Sequence, residues 1–222
     1  MRKLTVLAAL GLVAATAYGV GFGFGGFGGI ALPMGDMAAE DDMATEAWDG
    51  GDLAMSPKFG GKVLIGILPA LDVEVAFAYH LNHKQKNWEE VEGIDEPTTT
   101  IIPITFGANY KLMFGDMGVY FGGGGGFYMM KMSGTGVLPI IPAVTYEYDL
   151  KANKPGVYVG GGFMYSFGKL ALDVSPRFNY VMNSGDYDLD VTAEGYTGSI
   201  AVTKDYKDMF VDVLFGVDYF FM

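Results

Sequence analysis

The segment from Leu71 to Leu81 alternates between two kinds of side chain. Its odd positions are all apolar, whereas its even positions are small or polar. Only a β-strand places every second side chain on the same face. Comparable segments recur along the chain, and no amphipathic helix accompanies them to cover the apolar faces. We therefore predict that membrane lipid covers these faces.

Eight segments fit this strand pattern, at residues 20–33, 58–68, 71–81, 99–112, 117–132, 156–167, 170–181 and 210–222. Three connections between them, at 68–71, 113–116 and 167–170, are tight and contain Pro or Gly, which suit chain reversal. The other four, at 34–57, 82–98, 133–155 and 182–209, are long. This layout predicts an all-β fold, an eight-stranded antiparallel up-and-down transmembrane β-barrel with short periplasmic turns and long extracellular loops in the bacterial outer membrane.

The first residues have the features of an export signal. Arg2 and Lys3 precede an apolar stretch at 4–13, and small residues follow at 15–17. A membrane anchor is the alternative, but this stretch is shorter than the about 20 residues that span a bilayer. We expect a signal peptide over residues 1–19, cleaved after Ala17 or Gly19, and a single barrel domain over residues 20–222.

Composition limits the classes of protein that remain. The mean hydropathy is +0.26, which suits a barrel that hides its apolar positions by alternation. The formal net charge is −12, and the loss of Arg2 and Lys3 would take it to about −14, so we expect no nucleic-acid partner. Cysteine is absent from the chain, so no disulfide stabilises it. We also expect no cofactor.

The inward positions of the predicted strands carry charges. In a barrel this narrow, inward charges must pair or meet water. We expect ion pairs between Arg177 and Asp212 and between Lys62 and Glu74, and a lumen that is plugged rather than open. The predicted polar network of the lumen consists of Lys62, Glu74, Lys111, Asp173, Arg177, Asp212 and Asp218.

Two prolines lie inside predicted strands of this closed ring. Neither Pro103 nor Pro176 can donate a backbone hydrogen bond, and a closed barrel has no free edge. We expect each to mark a bulge or the end of a strand.

The carboxyl-terminal segment carries a short motif. Gly216, Tyr219 and Phe221 have the spacing of the terminal signal in the small outer-membrane barrels of the OmpA, OmpX and OmpW superfamily, which the chain resembles. Met222 after Phe221, and Leu214 where a polar residue is common, depart from that pattern. The resemblance implies recognition by the barrel-assembly machinery and a position among outer-membrane lipid and lipopolysaccharide.

Two histidines are the first candidates for chemistry. His80 lies near the predicted outer rim and His83 in the second long loop. Positions three apart on a strand face opposite sides, so joint metal binding would require the strand to end between them. We predict no catalytic role for either histidine and no metal site formed by them.

Glycine and acidic residues supply two further candidates. The glycine run at 122–126 lacks the Lys and Ser or Thr of a phosphate-binding loop, and we assign it to strand curvature. The first long loop is acidic, and we expect either a solvated loop, with a short helix over 37–48, or a divalent-cation site. Its carboxylates are Asp36, Glu40, Asp41, Asp42, Glu46, Asp49 and Asp52.

The third long loop is unusually apolar over residues 137–144, although Pro139 and Pro142 argue against a regular strand there. Resemblance to OmpW-type proteins implies an apolar lumen through which small apolar compounds pass. The inward residues that would suit such a lumen, or simply pack a plug, are Leu64, Tyr128, Met130, Met164 and Leu214.

The sequence therefore predicts a protein without enzyme activity that is structural or porin-like, a narrow passage for small, possibly apolar, solutes. A surface adhesin or receptor that uses the acidic long loops is the alternative. A lipid-modifying barrel enzyme is the weakest interpretation.

Overall fold

The computed structural model describes residues 21–35, 37–38, 53–85, 95–138, 141–182, 185–193, 196–204 and 208–221. The predicted signal peptide and most of the first long loop lie outside these residues. These described residues contain ten strands, β1 Gly21–Gly35, β2 Ser56–Leu68, β3 Leu71–Lys84, β4 Thr98–Phe114, β5 Met117–Leu138, β6 Ile141–Phe167, β7 Leu170–Val181, β8 Gly185–Ala193, β9 Tyr196–Lys204 and β10 Asp208–Phe221. No helix in this part of the chain could cross a membrane.

Eight of these strands close into a ring in which every neighbouring pair is antiparallel. The order is β1, β2, β3, β4, β5, β6, β7 and β10, and β10 pairs with β1 to complete the circle. The three tight turns lie on one rim, and Gly115 and Gly168 adopt positive φ there, a conformation that glycine reaches without a steric penalty. The predicted eight-stranded up-and-down barrel is confirmed.

The two faces of the ring differ in chemistry as the alternation predicts. In β7, Leu172, Val174 and Phe178 are exposed, whereas the intervening polar side chains are buried inside the ring. The last strand repeats this pattern, with Phe215 and Val217 outside and Asp212 and Asp218 inside. The outer surface is thus an apolar belt of the kind that only lipid solvates well.

The two prolines interrupt the ladder without ending a strand. The β6 and β7 register pairs skip Pro176 and resume unchanged on both sides of it, and the β3 and β4 pairs skip Pro103. The register is the same on both sides of each proline, so the expectation that each marks a bulge or a strand end is wrong. Each proline simply lacks the N–H that one neighbouring strand would have accepted.

Above the outer rim the chain continues as a projecting sheet. β5 and β6 extend as a hairpin through Leu138 and Ile141, and the hairpin β8 and β9 adds to the edge of β6. The expectation that prolines keep the third loop irregular is wrong, because β6 runs through Pro142. The fourth long connection is likewise a hairpin over much of its length rather than a loop.

Candidate functional site

The interior of the barrel holds three polar clusters stacked along its axis. All of them are built from inward positions of the ring strands, where period two keeps polar side chains on one face. The turn-side cluster comprises Lys62, Asp72, Lys111, Tyr120, Asp173 and Asp218. The central cluster comprises Glu74, Asn109, Tyr158 and Arg177, and the loop-side cluster comprises Lys58, Tyr128, Asn179 and Asp212.

The turn-side cluster centres on Lys62. Its Nζ lies 2.9 Å from Asp173 Oδ2 and 3.0 Å from Asp218 Oδ2. The Tyr120 hydroxyl donates a hydrogen bond of 2.9 Å to the other oxygen of Asp173. Lys111 forms a separate ion pair with Asp72. Each cation here therefore has at least one carboxylate partner, as a buried charge requires.

The central cluster is built around one guanidinium. Arg177 Nη2 lies 2.6 Å from Glu74 Oε1, and Asn109 Nδ2 donates to Glu74 Oε2 at 3.1 Å. The guanidinium also lies 5.0 Å from the centre of the Tyr158 ring, within cation–π range. The arrangement neutralises Glu74 in the middle of the barrel.

In the loop-side cluster the partner of Asp212 is Lys58 and not the predicted Arg177. Lys58 Nζ lies 2.5 Å from Asp212 Oδ2, which also accepts a 2.9 Å hydrogen bond from Asn179 Nδ2. Tyr128 donates to Asn179 Oδ1 at 3.2 Å. The polar network thus continues from the central cluster towards the outer rim.

Glycines on neighbouring strands make room for several of these polar groups. Gly25 is the register partner of Asp218, and Gly216 is that of Asp173. A Cβ atom on either glycine would overlap the carboxylate of its partner. The glycine content of these strands therefore has a local cause, since the carboxylates occupy the space that other side chains would fill.

All seven lumen residues proposed from the sequence lie in the interior, but two predicted pairings are wrong. Asp212 and Arg177 are register partners, yet Arg177 reaches Glu74 and Asp212 binds Lys58. Lys62 does not pair with Glu74 and binds two aspartates instead. Long side chains reach across a narrow barrel, so register alone does not determine the pairs.

Sequence reasoning also missed Lys58, Asp72 and Asn109 as lumen residues. A usable signal existed for two of them. Lys58 lies an even number of positions from Lys62 on β2, and Asp72 an even number from Glu74 on β3, so each pair faces the same side of its strand. Applying the alternation to the ends of each predicted strand would have identified both residues.

Little free space remains between the turn-side and central clusters. A cavity of about 20 Å³ is lined there by the charged groups together with Leu64, Met164 and Phe220. That volume suits roughly one water molecule.

An apolar cluster lies across the outer end of the barrel. Two of its members, Met37 and Leu53, belong to the first long connection, and the Leu53 amide donates to the Met37 carbonyl at 2.9 Å. The remaining members come from the strands and are Ala31, Ile101, Tyr128, Met130, Leu150, Ala152, Val181 and Phe210. The inward residues predicted to pack a plug, Tyr128 and Met130, lie here, while Leu64, Met164 and Leu214 are buried deeper.

The two histidines lie under this apolar cluster and contact each other. Both are fully buried, and His80 Nδ1 lies 3.3 Å from His83 Nε2. The predicted placement of His83 in the second long loop is wrong, because β3 extends through this residue. A register shift between His80 and His83 leaves Leu81 and Asn82 both exposed, so the bulge turns His83 inward.

The remaining contacts of the two histidines are with a backbone carbonyl and a phenylalanine ring. His83 Nδ1 lies 2.9 Å from the carbonyl oxygen of Ala54, which is in the first long connection. The His80 ring meets Phe210 edge to face, with centroids 5.1 Å apart. Among the described residues neither histidine has a hydrogen bond to a serine or a carboxylate, and no group of three or more possible ligands could hold a metal ion.

The carboxyl-terminal motif divides between the two faces of β10. Gly216 is buried beside Asp173, whereas Tyr219 and Phe221 belong to an aromatic group on the outer surface at the turn rim. Phe24 on β1 lies 5.8 Å from the Tyr219 ring and 5.6 Å from the Phe221 ring. Such aromatic residues are typical of the membrane interface of barrels.

A closed antiparallel ring with an apolar exterior and a charged interior defines the class, and the chain has the fold of a bacterial outer-membrane β-barrel. Two solved structures illustrate it. A major outer membrane protein from Thermus thermophilus is similar with a TM-score of 0.60 and 13% identity, covering 91% of this chain and 99% of that one. The outer membrane protein OprG from Pseudomonas aeruginosa gives 0.52 and 15% identity, covering 91% and 95%.

A third similar structure is that of a protease. The outer membrane protease OmpT from Escherichia coli matches with a TM-score of 0.53 and 8% identity, covering 91% of this chain and 96% of the protease. No protein-family model and no curated protein matches the chain. At these identities the similarity concerns the fold and not the activity.

Proposed function

We propose that the protein is a structural outer-membrane barrel that is closed to ions in the state described here. The observation that carries this proposal is the polar network of the interior. In the turn-side, central and loop-side clusters, Lys58, Lys62, Lys111 and Arg177 are each paired with a carboxylate. Ions would have to displace these pairs to pass, which is costly in a narrow interior of low dielectric.

Recording ionic current across a planar bilayer tests this proposal. We expect the purified protein, inserted at neutral pH in concentrated KCl, to give no sustained current steps. An open porin inserted under the same conditions serves as the positive control for the assay. A stable open-channel current from the wild-type chain would contradict a closed barrel.

A narrow passage for small apolar solutes is the second candidate, and the apolar cluster at the outer end favours it. Met37 and Leu53 of the first connection occupy that cluster and would have to move to admit a solute. Uptake of a small apolar dye into proteoliposomes, without ionic current, would select this function. A rate no higher than that of protein-free liposomes would exclude it.

We propose no enzyme activity for the chain. The two histidines contact each other, a backbone carbonyl and a phenylalanine ring, an arrangement that supports a packing role. Lipid extracts from cells that express the wild type and a His80→Ala, His83→Ala variant should give the same mass spectrum. A lipid product that is present only with the wild type would contradict the proposal.

The expected partners follow from the same interpretation. We propose that lipid and lipopolysaccharide surround the apolar belt, and that the barrel-assembly machinery recognises Gly216, Tyr219 and Phe221. Divalent cations at the acidic first connection remain a proposal from the sequence, because its carboxylates at residues 36–52 lie outside the described residues. A surface adhesin or receptor that uses the acidic long connections is the alternative proposal.

A further inference from the structure

Strand β9 forms an open edge of the projecting sheet. Within the described part of the chain it pairs with β8 alone, from Tyr196 to Lys204, and the sheet ends there. An edge strand presents unpaired N–H and C=O groups to one side. These groups can accept a further strand, which is a common mode of peptide recognition.

The hairpin geometry identifies which groups point outward. Ala193 and Tyr196 are register partners and only two residues separate them, so they form the hydrogen-bonded closing pair of a short hairpin. Hydrogen-bonded and non-bonded pairs alternate along an antiparallel ladder. The outward groups of β9 therefore belong to Thr197, Ser199, Ala201 and Thr203.

This edge lacks the features that normally prevent edge-to-edge pairing. Between Tyr196 and Thr203 the sequence contains no charged residue and no proline, and Lys204 follows only at the end of the strand. Tyr196 itself is 84% exposed. Proteins usually protect a long edge with charges, prolines or bulges, so this edge is suited to a partner.

The register of β8 against β9 gives the sheet two chemically distinct faces near the edge. Asp188 and Asp190 are the register partners of Ala201 and Ser199, and period two places the two aspartates on one face of the sheet. The intervening positions of the two strands are apolar in the sequence, and Tyr187 and Leu189 are the register partners of Val202 and Ile200. A strand added to β9 would thus have an acidic row on one side and apolar positions on the other.

We propose that the β9 edge binds an extended polypeptide segment of an external partner in which basic and apolar residues alternate. The added strand would lie two strand spacings, about 10 Å, from the aspartate row. Lys or Arg side chains can extend over the small residues of β9 towards these aspartates, and their charge complements the acidic chain. The surface lies outside the barrel interior, so the proposal is independent of whether the barrel conducts.

The test is the binding of a designed probe to the full chain in detergent micelles at physiological salt. The probe is a fluorescein-labelled peptide, roughly as long as β9, in which lysine and valine alternate, and fluorescence anisotropy reports its binding. We expect saturable binding by the wild type. A peptide in which glutamate replaces lysine should bind at least about tenfold more weakly, because like charges oppose it.

Two variants at one position separate strand addition from simple attraction of charge. Ser199→Pro removes an outward N–H, whereas Ser199→Ala keeps it, and both remove the hydroxyl group. We expect Ser199→Pro to weaken binding at least about tenfold and Ser199→Ala to bind within about twofold of the wild type. Hydrogen exchange in β8 confirms for each variant that the hairpin remains folded.

Three results would overturn the proposal. They are the absence of saturable binding by the wild type, equal binding of the glutamate peptide, and equal binding by Ser199→Pro and Ser199→Ala. If Ser199→Pro unfolds the hairpin, Thr197→Pro, at the next outward position, replaces it under the same criteria. Asp190 already pairs with Lys151, so the aspartate is tested at Asp188 alone: Asp188→Asn should also weaken binding of the lysine peptide, and unchanged affinity would exclude the assigned role of the aspartate row.

Discussion

Glycines opposite charged side chains are what allow so narrow a barrel to hold so many charges. Gly25 leaves room for Asp218, and Gly216 leaves room for Asp173, and both aspartates bind Lys62. An alanine at either glycine would force its partner away from the lysine. The glycines are therefore as much a part of the ion-pair network as the charges are.

Two adjacent glycines of β1 provide a matched test of this role. Gly25→Ala should destabilise the protein by roughly 1–3 kcal/mol, because its methyl group overlaps the Asp218 carboxylate. Gly26→Ala should change stability by no more than about 0.5 kcal/mol, because the nearest atom to its Cβ is 3.9 Å away. Urea unfolding in detergent micelles measures both, and equal effects would contradict the explanation.

The central ion pair gives a second prediction at the level of single residues. Arg177→Met should cost about 3–5 kcal/mol, because it leaves Glu74 buried without a countercharge. Adding Glu74→Gln should recover a large part of that loss, since the unpaired charge is then removed. Unfolding of the two single variants and the double variant completes the cycle, and strictly additive effects would mean that the two residues do not interact.

At the level of strands, the alternation was sufficient to locate every strand of the ring. Period two also placed the polar residues of β7 and β10 inside, because a lipid-facing sheet cannot tolerate the reverse register. Two kinds of feature were not predictable in this way. The bulge between His80 and His83 adds a residue to β3, and a strict alternation of faces does not predict such an insertion. The ion-pair partners depend on how far long side chains reach across the lumen.

The projecting sheet shows a further limit of local reasoning. Pro139 and Pro142 argue against a strand by propensity, yet β6 begins at Ile141 because β5 is available as its partner. The β8 and β9 hairpin then extends the same edge. Pairing with β5 outweighs the local propensity of the prolines here. The sequence of this segment alone does not show that such a partner strand is available.

The contact between β6 and β8 should depend on pH in a definite direction. A hydrogen bond from Lys151, with Nζ 2.7 Å from Asp190 Oδ2, lowers the pKa of Asp190. Because the pKa is lower in the folded state, the contact is fully present above the ordinary aspartate value of about 3.9 and is lost as the pH falls through the lowered value.

NMR titration of the Asp190 carboxyl carbon measures this pKa directly. We expect a midpoint below about 3.9 in the wild type and an upward shift of that midpoint in Lys151→Gln. The Lys131→Gln variant is the control, because Lys131 pairs with Asp149 at 3.0 Å rather than with Asp190. An unchanged midpoint in Lys151→Gln would contradict the assigned cause.

At the scale of the whole molecule, the barrel reverses the usual distribution of residues in a folded protein. Large apolar side chains such as Phe106, Phe121 and Phe215 are exposed on its outer surface, while lysine, arginine and carboxylates are buried inside. In water this surface would be an extensive apolar patch and a strong cause of aggregation. The fold is stable only if hydrocarbon contacts the outside and the charges neutralise one another inside.

Spin labelling along one strand tests both halves of this statement together. The chain contains no cysteine, so single cysteines carrying a nitroxide can be placed one at a time at residues 171–178 of β7, with the protein in liposomes. We predict that oxygen dissolved in the lipid broadens the signals at the even positions. At the odd positions, neither oxygen nor a water-soluble nickel complex should have comparable access.

The result that would contradict the account is equally specific. Access of oxygen that does not alternate along β7 would mean that lipid does not cover one face of the ring. Free access of the nickel complex to the odd positions would mean that the interior is an open aqueous channel.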